Sequence, residues 1–309
     1  MTLRGRLAPS PTGVLHLGNA RSFLLAWLDV RARGGEVLLR IEDLDGPRIK
    51  SGAAEAAIED LAWLGLDWDA GPVYQRPRLA CYRAALEKLA AAGLAYPCTC
   101  TRRDVELAAS APHAGEEGPL YPGTCRGRFA DAAAARAASG AEPCWRFAVP
   151  AGAAVEFADR HAGPQRIAVG RELGDFVIWK KDGEPAYQLA VVVDDAEQGV
   201  NSILRGADLL PSAARQTLLY QALGHAPPEF AHVPLVVGSD GRRLAKRHGD
   251  TTLSQFRAAG YDAPALLRWL AEVSGLAPPR RAYGCARDLL ADFALARVPA
   301  APVVWRGAL

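Results

Sequence analysis

Apolar positions change their spacing several times in the first hundred residues, and each change marks an element. Gly5 to Pro9 is a short extended segment that passes through Pro-Thr-Gly into Asn19 to Arg33, an amphipathic stretch rich in Leu, Ala and Trp. The pattern predicts strand, turn and helix. Beyond Gly34-Gly35, the run Val37-Leu38-Leu39-Arg40-Ile41 is compact and rich in Leu and β-branched residues, as expected of a buried parallel strand, and it ends in the acidic turn Glu42-Asp43-Leu44-Asp45. Two further helical stretches are predicted over Ala53 to Leu64 and Leu79 to Gly93. Asp67 to Arg78 reads as a Pro- and Gly-containing link between them.

From Tyr96 to about Ala186 cysteines appear, Gly and Pro punctuate the chain, and the helical periodicity of Ala130 to Ser139 stands alone. This predicts an inserted module. Regular α/β texture returns with Leu189 to Val193, Ser202 to Arg205 and the helix Ser212 to Leu223, and His232 to Val237 reads as another buried strand. After Gly238 the chain reads as short and helical, and from Ala277 it has Pro pairs and little periodicity. The expected organisation is a core split in two: residues 1–97 as its first half, 98–185 as the insertion, 186–238 as its second half, and 239–309 as a basic loop with a short helical segment.

Composition narrows the class. A chain of 309 residues with half its positions apolar can bury a substantial core, which suits an enzyme. The formal net charge of +2 does not by itself point to a nucleic acid, so any basic surface must be local, as at Arg242-Arg243 and Lys246-Arg247. The first residues lack a secretory apolar run, and no segment offers about eighteen uninterrupted apolar residues, so no membrane partner and a cytoplasmic location are expected. Six cysteines in this length are not a dense disulfide framework. The pair Cys98 and Cys100 is poorly placed for a mutual bridge, and a metal is the better reading there.

Two motifs carry chemistry. The first runs from Arg6 through Ala8-Pro9-Ser10-Pro11-Thr12-Gly13 to Leu15-His16-Leu17-Gly18-Asn19, and puts a histidine and a glycine at a helix start directly after a strand. A helix N-terminus offers N–H groups and a favourable dipole to phosphate, Gly18 permits close approach, and His16 can donate to a triphosphate. The second is Arg243-Leu244-Ala245-Lys246-Arg247-His248-Gly249, where a lysine on a glycine-bordered loop is a mobile point charge for phosphate. Each alone is ordinary, one a structural turn and the other a solvated basic loop.

Together, in this order and separation, they resemble the paired signature motifs of class I aminoacyl-tRNA synthetases. The longer match, with Arg40-Ile41-Glu42-Asp43-Leu44-Asp45 between them, resembles the glutamyl branch over roughly Arg4 to Gly275. One departure is Asn19, where the class motif carries a second histidine. The resemblance implies an α/β fold with a Rossmann-like, doubly wound parallel sheet and the ligand over the carboxyl ends of its strands. It implies ATP with Mg²⁺, L-glutamate activated as its adenylate, and transfer to an RNA hydroxyl. His16 and Lys246 would stabilise charge on the phosphates, with His16, Gly18, Asn19 and Lys246 around ATP. The glutamate pocket would be Arg6, Leu7, Ala8, Pro9, Ser10, Glu42, Tyr187 and Arg205. In it Glu42 would take the α-amino group, Arg6 and Arg205 the carboxylates, and Tyr187 would close the side.

Cys98, Cys100 and Cys125 can bind a structural Zn²⁺. Tyr121 lies where a subset of this family places its fourth donor, and His113 and Cys144 are the alternatives. Cys81 and Cys285 read as packing residues. Full-length members continue into large helical anticodon readers, whereas roughly sixty residues follow Gly249 here, so no anticodon-binding domain is expected. That shortness and the stretch Tyr96-Pro97-Cys98-Thr99-Cys100-Thr101-Arg102 resemble short paralogues that attach glutamate to queuosine in the anticodon of tRNA(Asp). A truncated enzyme charging tRNA(Glu) and a non-catalytic RNA-binding paralogue are the competing readings. Retention of His16, Glu42, Arg205 and Lys246 together argues against the latter, because unpaired buried charge is costly. The absence of coiled-coil heptads predicts a monomer.

Overall fold

A computed structural model describes residues 2–44, 46, 49–108, 120–242, 244, 251–276 and 281–309. Strand β1 (Arg4–Leu7), helix α1 (Leu17–Ala32) and strand β2 (Glu36–Ile41) form a β-α-β unit in which β1 and β2 pair in parallel, Arg4 opposite Glu36 and Leu7 opposite Leu39. Helix α2 (Ala53–Trp63) leads to β3 (Ala70–Tyr74), which pairs in parallel with β2 on its other side. β3 corrects the reading of Asp67 to Arg78 as a link. Its Gly71 and Pro72 are exposed and no residue in it is fully buried, so the segment carries no alternating signal.

Helix α3 (Leu79–Ala91) is followed by β4 (Ala95–Cys98), α4 (Arg102–Ala108), α5 (Ala132–Ser139), β5 (Cys144–Phe147), β6 (Val155–Asp159), β7 (Gly163–Ile167), the one-turn α6 (Val169–Glu172) and β8 (Phe176–Trp179). β4, β5 and β8 make an antiparallel sheet in that order, and β6 and β7 a hairpin. The change from parallel to antiparallel pairing coincides with the change of texture in the sequence.

Parallel pairing resumes after helix α7 (Tyr187–Glu197), which contains the apolar run Leu189 to Val193, buried throughout. Strand β9 (Ser202–Gly206), helix α8 (Leu210–Leu223) and strand β10 (Glu229–Val233) give a second unit, with β9 and β10 parallel. β9 lies beside β1. Asn201 N–H donates to the Arg4 carbonyl at 3.0 Å, and the Arg4 N–H donates to Asn201 Oδ1 at 2.9 Å. Gly5 makes this approach possible, because a Cβ there would sit 2.2 Å from Val30 Cγ2 and 3.3 Å from the Ser202 carbonyl.

His232 to Val237 is not one strand. It breaks at Pro234, which has no N–H to give a ladder, into β10 and β11 (Val236–Val237). Helices α9 (Leu253–Ala258) and α10 (Ala263–Val273) follow, and β12 (Val303–Val304) returns to pair in parallel with β11. The Pro-rich end of the chain is therefore anchored. Trp305 is buried against Trp269 and Phe256, with ring centroids 5.3 and 6.0 Å apart, the edge-to-face geometry aromatic rings favour.

One apolar core joins α1, β1, β2 and α10, and a second joins α3, α7, α8 and β8. Each fully buried Leu in them contributes about 1.5–3 kcal/mol relative to exposure. Among the described residues, no helix is long and apolar enough to cross a membrane.

Candidate active site

The carboxyl ends of β1, β2 and β9 open into a cavity of about 540 Å³. Of the residues expected there, Arg6, Ala8, Pro9, Ser10, His16, Gly18, Asn19, Glu42, Tyr187 and Arg205 line it. Leu7 does not, being wholly buried in the core. Lys246 lies outside the described residues. Sequence reading missed Thr12, Ser22, Phe23, Asp208 and Leu235, which also line the cavity. A larger cleft of about 1010 Å³ lies beside Tyr121, but the arginines in its walls are already paired, Arg126 with Asp175, Arg166 with Glu156 and Arg171 with Glu172.

Buried charge of both signs converges on the cavity. Arg6, Glu42 and Arg205 are each less than one-tenth exposed. Arg6 Nε is 3.6 Å from Asp195 Oδ1 and has no hydrogen-bond partner. Arg205 donates from Nε to His232 Nε2 at 3.0 Å and from Nη2 to the Leu209 carbonyl at 3.3 Å, while its Nη1 is buried without a partner. Burial pushes the Arg205 guanidinium below its ordinary range, and the field of Arg6 adds to the push. Burial likewise raises Glu42, although Arg40 and Arg6 pull against it. Arg40 Nη2 donates to Glu42 Oε1 at 3.1 Å from beneath. Two buried guanidiniums with unmet donors and one carboxylate match a ligand with two carboxylates and an ammonium. Leaving such groups unmet is costly, and a ligand that pairs them recovers that cost.

His16 caps α1. Its Nδ1 accepts from the Gly18 and Asn19 N–H groups at 3.1 and 3.4 Å, and Asn19 Oδ1 accepts from His16 N–H at 3.2 Å. Leu17 N–H is taken by the Thr251 carbonyl and Ala20 N–H by that of His16. The expectation of free N–H groups for phosphate is therefore corrected, since the first turn is already satisfied and only its dipole remains available. What the cap does instead is fix the ring. With Nδ1 accepting, the neutral imidazole carries its proton on Nε2. Gly18 makes room for that ring, as a Cβ there would lie 2.9 Å from His16 Cε1.

From the end of β4 onward, the Cys98, Cys100 and Cys125 sulfurs lie within 4.8 Å of one another. Cys100 and Cys125 Sγ are 3.6 Å apart, close to the roughly 3.8 Å that tetrahedral Zn–S bonds of about 2.3 Å require. Tyr121 Oη stands 3.3 Å from Cys98 Sγ and 3.7 Å from Cys100 Sγ. Cys144 instead turns its thiol to the Cys98 carbonyl at 3.3 Å, and His113 lies outside the described residues. The nearby Cys144 thiol, then Tyr121 and Arg146, bring the Cys98 thiol down to about 4 against the effect of burial. Arg146 donates to that sulfur at 3.3 Å and stacks 3.7 Å over the Tyr121 ring. The donor set fits a thiolate-bound metal. Of the two remaining cysteines, Cys81 packs partly buried in α3, but Cys285 is exposed and is not a packing residue.

The chain matches the family model of class I tRNA synthetases (E and Q), catalytic domain, over residues 2–288. A glutamyl-Q tRNA(Asp) synthetase of Symbiobacterium thermophilum is 50% identical over 97% of this chain and 95% of that protein. A glutamate–tRNA ligase of Synechococcus is 41% identical over 90% of this chain but only 58% of that protein. The structure of a glutamate tRNA ligase from Elizabethkingia meningosepticum in complex with its amino acid superposes with a TM-score of 0.81 at 26% identity, covering 98% of this chain and 67% of that one. The chain belongs to the class I tRNA synthetases of the E and Q type and, within them, groups with the glutamyl-Q tRNA(Asp) synthetases.

Proposed function

We propose that this protein activates L-glutamate with ATP and transfers it to the queuosine base in the anticodon of tRNA(Asp). The single observation that carries the first step is the cavity with Arg6, Arg205 and Glu42 converging on it, the two arginines each holding a buried, unpartnered N–H. Arg6 and Arg205 take the two carboxylates, Glu42 takes the ammonium, and Tyr187 closes the side, with Ala8, Pro9 and Ser10 as backbone wall. The names of the relatives support the RNA acceptor.

In the reaction an oxygen of the glutamate α-carboxylate attacks the α-phosphorus of ATP. The bond to the bridging oxygen breaks and pyrophosphate leaves. A queuosine hydroxyl then attacks the carbonyl of the adenylate, and AMP departs with the electron pair. No protein nucleophile is needed, so the protein's work is alignment and charge stabilisation. His16 donates from Nε2 toward the phosphates, Gly18 and Asn19 hold that ring in place, and Mg²⁺ arriving with ATP supplies further positive charge. Lys246 is assigned to the leaving pyrophosphate on its motif. The backbone bonds from Leu17 N–H to the Thr251 carbonyl and from Leu253 N–H to the Leu15 carbonyl, on either side of His16, support bringing the two motifs together.

Cys98, Cys100, Cys125 and Tyr121 would hold a structural zinc that staples the insertion. Residues 98–185 are assigned to that module between the two halves of the catalytic core, and a cytoplasmic monomer is the working state. Isotope exchange between pyrophosphate and ATP, without RNA, tests the activation step. It should depend on glutamate and not be supported by glutamine or lysine, and exchange supported equally by all three would remove the charge-based reading of the pocket.

A further inference from the structure

Arg205 is held by a chain of hydrogen bonds that begins in the insertion. Asp159, at the end of β6, accepts at Oδ1 from the N–H groups of His161, Ala162 and His232, at 3.0, 2.7 and 3.0 Å. Its Oδ2 lies 2.6 Å from His232 Nδ1, and across the ring His232 Nε2 accepts from Arg205 Nε at 3.0 Å. All three side chains are less than one-tenth exposed. A guanidinium N–H can only donate, so Nε2 must be bare, and the neutral ring then carries its proton on Nδ1, facing Asp159. Both side-chain neighbours, Asp159 and Arg205, demand the same tautomer.

We propose that Asp159 and His232 are positioning residues that aim the Arg205 guanidinium so that its unpartnered Nη1 meets a carboxylate of the substrate amino acid. The inference rests on reading the cavity as the glutamate site. An arginine has many rotamers, and one acceptor leaves most of them open. With Nε fixed on His232 and Nη2 on the Leu209 carbonyl, the plane of the fork is set and Nη1 is left for the ligand. The β6–β7 hairpin, part of the insertion, is thereby coupled to the amino-acid pocket of the core.

The test joins ¹⁵N NMR of the imidazole to kinetics of glutamate-dependent pyrophosphate exchange. The expected resting spectrum shows Nδ1 protonated and Nε2 bare. In His232→Leu the KM for glutamate should rise about tenfold, with the KM for ATP unchanged. His232→Gln, whose carboxamide oxygen can still accept from Arg205, should recover most of the loss. Asp159→Asn keeps the acceptor for the Ala162 N–H and offers a near-isosteric second variant, in which an amide donor facing Nδ1 should also raise the KM for glutamate. A proton on Nε2 in the wild type overturns the proposal. So does a wild-type glutamate KM in His232→Leu or Asp159→Asn when Arg205→Ala raises it. If Arg205→Ala itself leaves the glutamate KM unchanged, the glutamate reading falls and the positioning role with it. The tautomer reports on the hydrogen-bond chain independently of that outcome.

Discussion

Arg40 Nη1 and Asp195 Oδ1 meet at 2.6 Å with neither side chain exposed, tying β2 to α7 across 155 positions of sequence. Arg40 also supports Glu42, so this buried pair stands directly beneath the proposed ammonium site. Removing Arg40 leaves buried Asp195 with only the more distant Arg6, 3.6 Å away, and takes the arginine from under Glu42. Arg40→Met is predicted to lose about 3–5 kcal/mol of stability, read from urea unfolding. An unchanged midpoint would mean that Arg6 alone compensates Asp195.

Gly18 has a steric duty toward His16. Gly18→Ala places a methyl 2.9 Å from His16 Cε1, and the ring must rotate out of its cap. Exchange activity should drop about tenfold or more, since small displacements of an aligned group cost rate steeply. The melting temperature should move little, because the lost cap, worth about 0.5–2 kcal/mol, is offset by the roughly 1 kcal/mol that Ala gains over Gly within a helix. Full activity in this variant would show that the capped ring position is not the one used on the phosphates.

Much of this arrangement was legible in the sequence because it is local. His16 and Gly18 are two residues apart, and the strand runs ending at Leu7 and Ile41 carry their acids and arginines to one edge. β3 was not legible, since Gly71 and Pro72 break any alternation, and the two-residue β12 is too short to carry a period. The Asp159–His232–Arg205 chain was invisible for another reason. His232 reads as an ordinary strand residue, and its partner Asp159 is 73 positions away on the β6–β7 hairpin. Such a pairing exists only once the hairpin has folded against β10.

Zinc should accompany the purified protein at one ion per chain. Cys125→Ser should reduce that content and lower the melting temperature, because metal binding to a site absent from the unfolded chain is folding free energy. Tyr121→Phe should release zinc faster to a chromogenic chelator than the wild type does. Retention of full zinc by Cys98→Ser would remove that residue from the donor set.

Burial holds the His232 imidazole below its ordinary value, despite the hydrogen bond to Asp159. The unfolded chain therefore binds more protons there just below about pH 6.5, and stability must fall as pH drops from that value through the folded-state pKa. Against burial, hydrogen bonds from His232 and the Ala162, His232 and His161 N–H groups bring Asp159 down to about 2. Its stabilisation is present above the ordinary carboxylate range and is lost only as pH falls toward 2. Between pH 8 and 5 the wild type should lose more stability than His232→Gln, as read from urea midpoints. Parallel pH profiles would contradict a neutral buried imidazole.

The central claim is best tested by transfer of labelled glutamate to tRNA(Asp) with and without queuosine, with tRNA(Glu) as a third acceptor. Label should reach only queuosine-bearing tRNA(Asp). Label on tRNA(Glu) alone, or on no RNA despite glutamate-dependent exchange, would contradict the assignment.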